Sequence, residues 1–156
     1  MNENERVNHP SHYEKGNGHT ECIYLLSILA ERFSGIYAGL VMQAKYLYRA
    51  GSKSEEGIGI IEKSIEDIKK FKFYWGKMCE NKIECMKSMK PRFNPLMEKV
   101  LIEKLVNEFT FDKPEWEKVY YENIITNIIT LELPNQIDNV MDNIKILIDK
   151  LSDTLK

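Results

Sequence analysis

Two short runs of this chain hold residue types that can do chemistry together. Val7-Asn8-His9-Pro10-Ser11-His12-Tyr13 sets His9, Ser11, His12 and Tyr13 around a single proline. Lys45-Tyr46-Leu47-Tyr48-Arg49-Ala50-Gly51-Ser52-Lys53 places Lys45, Arg49 and Lys53 beside Tyr46 and Tyr48 within nine residues. Imidazoles donate to phosphate or base edges and move protons near neutral pH. Arginine grips phosphate through a planar fork, and lysine serves as a point charge. Phenol rings add stacking surface. The chemistry indicated is capture of an anionic, ring-containing small molecule at His9, Ser11, His12, Tyr13, Lys45, Tyr46, Arg49 and Lys53. Each run also has a plainer reading. The first would be a strap held by buried His and Tyr hydrogen bonds, the second a solvated cationic helix face.

The elements that must position these residues read as helices. Pro10, Gly16 and Gly18 make residues 1–19 an extended arm. Thr20 suits an N-cap, and Ile23, Leu26, Ile28, Leu29 and Phe33 form the buried side of a first helix. After Ser34-Gly35 a second helix is expected to run unbroken to Ala50 and stop at Gly51. Its inner face is Ile36, Leu40, Gln43, Ala44 and Leu47; at about 100° per residue, Lys45 and Arg49 then point outward. A third helix carries Ile61, Ile65, Ile68, Phe71 and Trp75 on one stripe and Lys63, Asp67, Lys70 and Tyr74 on another. Pro91 and Pro95 mark a boundary, followed by a helix from Leu96 to Phe109. Asp112-Lys113-Pro114 opens the next, with Trp116, Tyr120, Ile124, Ile128 and Leu131 as its stripe. The β-branched content of Ile124–Leu133 leaves strand as the alternative there. Beyond Leu133-Pro134-Asn135, a last helix presents Ile137, Val140, Met141, Ile144, Ile148, Leu151 and Leu155.

The expected class is therefore all-α, with about six helices. An N-terminal arm packs on a three-helix unit within residues 1–90, and residues 91–156 form a helical C-terminal extension suited to homo-oligomer formation. A formal net charge of −2 argues against general nucleic-acid binding. The cysteines, Cys22, Cys79 and Cys85, are odd in number and unpaired in spacing, as in a reducing cytoplasm. No run approaches the roughly 20 apolar residues of a membrane span, and no signal peptide opens the chain. Phosphate-loop, dinucleotide, zinc and nucleophile-elbow signatures are absent. His9, His12, His19 and Cys22 match no standard metal spacing, so no metal site is expected. Glu62, Glu66 and Asp67 could bind a divalent cation, but interspersed lysines favour intrahelical pairs such as Glu66 with Lys70. Trp75 and Trp116 read as core residues.

Asn8-His9-Pro10-Ser11-His12-Tyr13, then Glu21-Cys22-Ile23, then Lys45–Lys53, then Glu66-Asp67-Ile68-Lys69-Lys70 with Tyr74 recur in an order that resembles a small phage-encoded family. It is known as a domain of unknown function, and one branch includes a nucleotide kinase without a Walker motif. The resemblance covers residues 7–76. It implies that His9, Ser11, His12, Tyr13, Lys45, Arg49 and Lys53 share one site for a phosphate-bearing ligand, in the cytoplasm of an infected bacterial host. The family usually has Gly-Asn three and four residues before the motif lysine, where this chain has Val41-Met42.

Three functions follow. The first is a protein that binds a nucleotide or nucleotide-derived phosphate, cyclic forms included, and sequesters a host immune signal. The second is a deoxynucleoside monophosphate kinase using ATP and Mg²⁺, with charge neutralisation from Lys45, Arg49 and Lys53. The third is a helical protein that blocks a host factor through the apolar face of Ile137–Leu155.

Overall fold

The computed structural model describes residues 20–52 and 57–156. His9, Ser11, His12, Tyr13 and Lys53, with the expected N-terminal arm, lie outside the described residues. The fold is all-α. In chain order the helices are α1 (Cys22–Ala30), α2 (Gly35–Met42), α3 (Lys45–Arg49), α4 (Ile60–Glu80), α5 (Lys82–Lys87), α6 (Pro95–Thr110), α7 (Glu115–Ile129) and α8 (Pro134–Asp153). No described helix is long and apolar enough to cross a membrane.

Helix α4 organises the molecule. Ile65, Ile68, Phe71 and Trp75 recur at three-to-four spacing and are all buried, as the sequence periodicity predicts. This stripe packs on α8, where Ile137, Val140, Ile144, Leu147, Ile148 and Leu151 are buried in turn. The Trp75 indole N–H donates to the Ile137 carbonyl at 2.9 Å. The opposite flank of α4 receives α2 and α3, and α7 sits between α6 and α8. One apolar cluster runs from Cys22 to Leu151. The apolar face of the last helix is thus used inside the chain, with Leu155 left exposed.

The helix starts follow from local chemistry. Asn94 caps α6, its side-chain oxygen accepting from the Met97 N–H at 2.8 Å, with Pro95 as the first helical residue. Pro134 does the same at α8, where Gln136 Oε1 accepts from the Leu133 N–H at 3.0 Å.

Several sequence expectations are corrected. The helix expected from Ser34 to Ala50 breaks at Gln43-Ala44, separating α2 from α3. There the ladder tightens to three-residue bonds: Gln43 N–H to Leu40 O at 3.2 Å, Ala44 to Val41 at 2.9 Å and Tyr46 to Gln43 at 3.1 Å. A tighter turn advances each residue farther around the axis than an α-turn does, so every later side chain is re-phased. Gly51 follows α3 with φ 84, the left-handed conformation expected of a glycine past a helix end. Ile36 and Ile61, placed on inner faces, are exposed, as is Ile23 in the first turn of α1. Each sits near a helix start, where the stripe has run past its partner. Trp116, taken as core, is 39% exposed at the start of α7. Thr20 does not cap α1, whose N-cap is Glu21; its Oγ1 instead accepts from Lys104 Nζ at 2.8 Å.

Candidate functional site

The re-phasing at Gln43-Ala44 decides where the motif residues go. Lys45 and Tyr46 stay half-buried at the surface, while Arg49 turns inward. Its Nε and Nη2 both donate to Asp67 Oδ1, at 3.0 and 2.8 Å. Asp67 has no solvent exposure. The expectation of an outward Arg49 is thus overturned: it spans α3 to α4 as half of a buried ion pair. Tyr48, read as a stacking surface, is also fully buried, edge-on to Phe109 at 5.4 Å.

What remains accessible is a cationic, aromatic shelf between α3 and α4. The Tyr46 ring has Lys45 Nζ at 5.2 Å, Arg49 Cζ at 4.9 Å and Lys70 Nζ at 5.5 Å from its centroid. The electron-rich ring face holds these charges. Tyr74 lies parallel to Tyr46 with centroids 6.3 Å apart. Phe73 meets Tyr74 edge-on at 5.3 Å, and Lys77 Nζ sits 5.2 Å from the Phe73 centroid. Tyr46, Glu66, Lys69, Lys70, Phe73 and Tyr74 line an open groove of about 470 Å³. Of the sequence-predicted residues, the structure brings Lys45, Tyr46 and Arg49 together here. Lys70 and Tyr74 were missed as site residues, although they occupy the second stripe of α4.

The acids beside the shelf are engaged by cations. Glu66 Oε1 lies 3.0 Å from Lys63 Nζ and 3.4 Å from Lys70 Nζ, the intrahelical pairing that the sequence favours. Hydrogen bonds from Lys63 and then Lys70 hold its carboxyl below the usual range. Asp67 Oδ1 has Lys70 at 3.9 Å and Lys63 at 4.0 Å besides the guanidinium. Among the described residues, no group of three His, Cys, Asp or Glu side chains could hold a metal.

No protein-family model, curated protein or solved structure matches the chain. The functional reading therefore rests on this geometry. Lys45, Arg49, Lys63, Lys69 and Lys70 outweigh Glu66 and Asp67 around the shelf, so the local field favours an anion although the whole chain is slightly acidic.

Other charged groups are structural, and the sequence marked none of them. Arg32 is buried at the end of α1, where Nη1 and Nη2 donate to the Ile129 and Leu131 carbonyls at 3.0 and 2.8 Å. Lys113 caps the C-terminus of α6, its Nζ donating to the Phe109 carbonyl at 2.8 Å. Among the described residues no disulfide joins Cys22, Cys79 or Cys85, and burial pushes the Cys85 thiol up to about 11.

Proposed function

We propose that the protein binds a small anionic ligand of the nucleotide class, cyclic forms included, on the Tyr46–Tyr74 shelf. One observation carries the reading: a half-buried phenol ring faces three cations within 5.5 Å and a parallel second ring. Tyr46, Tyr74 and Phe73 offer π-faces to a base. Lys45, Lys69 and Lys70 offer charge to phosphate, and the groove of about 470 Å³ is of ligand-pocket size. Sequestering a host signal would require no more than this binding.

Calorimetry against nucleoside mono-, di- and triphosphates and cyclic dinucleotides tests it. Tyr46→Ala is expected to weaken binding by about tenfold, since stacking on one ring is worth about 1–3 kcal/mol. Lys70→Ala should weaken it further. No heat at high micromolar ligand overturns the proposal. Incubation with ATP and each deoxynucleoside monophosphate, with and without magnesium, separates binding from catalysis. Diphosphate product would make the kinase reading the correct one.

A further inference from the structure

A second cavity, of about 200 Å³, lies where α4, α7 and the end of α8 meet, and it shares no lining residue with the shelf. Its polar walls come from Ser64, Asp112, Lys113, Glu117 and Thr154, with Trp116 among its lining residues. Their protons are already assigned. Ser64 Oγ donates to the Ile60 carbonyl at 2.9 Å, and Thr154 Oγ1 to the Leu151 carbonyl at 2.6 Å. Lys113 Nζ donates to the Phe109 and Tyr48 carbonyls at 2.8 and 3.4 Å. Asp112 Oδ2 accepts from Ser52 Oγ at 2.6 Å. The polar side chains other than Lys113 therefore face the cavity as acceptors.

Glu117 decides what would complete them. Its residue is only 9% exposed, and among the described residues no hydrogen bond or ion pair reaches its carboxylate. An unpaired buried carboxylate is costly, and a fitted cation removes that cost. Lys113 is itself paired with Asp112, Nζ to Oδ1 at 3.6 Å. We infer that this cavity is a binding site for a small primary alkylammonium ion, its three N–H donors meeting Glu117, Ser64 and Thr154 and its carbon chain lying along Trp116. An ammonium group beside an indole gains cation–π attraction as well. The volume lies below the roughly 300–1,000 Å³ of drug-sized pockets, so only a small amine fits.

NMR titration of the full chain with n-butylammonium chloride tests the site, with n-butanol and sodium chloride as controls. The chain has two indoles, so Trp116 reports on the cavity and Trp75 serves as an internal reference. The Trp116 indole resonance is expected to shift saturably with n-butylammonium and not with either control. Glu117→Gln should weaken binding by about tenfold or more, the worth of a charge-assisted hydrogen bond. Ser64→Ala is the second variant and should weaken it less. No saturable shift through the tens-of-millimolar range overturns the inference, as does unchanged affinity in a folded Glu117→Gln protein or an equal response to n-butanol.

Discussion

Arg49 places two N–H groups on one oxygen of a carboxylate that is wholly out of water, and this fixes what its removal does. The pair joins α3 to α4, so Arg49→Ala strands Asp67 with Lys63 and Lys70 near 4 Å as its remaining cations. Deleting one partner of a buried pair costs about 3–5 kcal/mol, and urea denaturation of Arg49→Ala should show a loss of that order. A ligand-binding defect in this variant would accordingly report on folding, whereas Lys70→Ala and Tyr46→Ala probe the shelf itself. Two glutamates carry opposite pH signatures. A fork of hydrogen bonds from Arg92, at 2.6 and 2.8 Å, holds the Glu98 carboxyl below its ordinary range. Its contribution is present above the ordinary value of about 4.3 and is lost as pH falls through the lower folded value. Glu117 is raised by burial; Lys113 opposes the shift and Asp112 adds to it. Its folded form therefore holds a proton that the unfolded chain has released, and stability falls as pH rises through that interval. In thermal melts, Glu98→Gln should lower Tm at pH 7 and Glu117→Gln should raise it. The Glu117 difference should fade as pH falls toward 4, and the Glu98 difference only at lower pH, as its own folded value is crossed.

At the scale of elements, α4 shows both what periodicity reveals and what it hides. Ile65, Ile68, Phe71 and Trp75 were legible because apolar side chains at this spacing have one destination. The stripe of Lys63, Asp67, Lys70 and Tyr74 was equally visible as a pattern, but its fate was not. Lys63 and Asp67 are both buried, and the guanidinium paired with Asp67 comes from a different helix, α3. The break at Gln43-Ala44 left no sequence mark, containing neither glycine nor proline, yet it turned Arg49 from outside to inside. Half of the candidate site was therefore readable as composition and not as direction. The two tryptophans make the same point. Trp75 is fully buried and hydrogen-bonded to α8, whereas Trp116 stands at the first turn of α7 beside a cavity. Trp75→Ala removes the largest side chain of the α4–α8 contact and a donor to Ile137. It should cost about 3–5 kcal/mol by urea denaturation. Trp116→Ala, largely outside the core, should cost far less.

Across the whole molecule, α8 ties the C-terminal half to the N-terminal half. Its buried face meets α4 on one side and α7 on the other, and Lys82 of α5 holds Asp138 of α8 at 2.9 Å. Arg32 adds a second tie, fastening the end of α1 to the carbonyls that close α7. The two halves cannot separate without exposing apolar surface on both, since the cluster from Cys22 to Leu151 is continuous. Unfolding should therefore be a single cooperative event. Tryptophan fluorescence, dominated by burial of Trp75 between α4 and α8, and far-UV circular dichroism, which averages every helix, should give coincident urea midpoints. A chain ending at residue 90 would keep α4 but lose the α8 surface that covers Phe71 and Trp75. Such a fragment should bind a hydrophobic dye and lack the sharp transition of the full chain. A truncated chain that melts as cooperatively as the intact protein would show instead that the first half closes its own core, and that α8 docks on a finished surface.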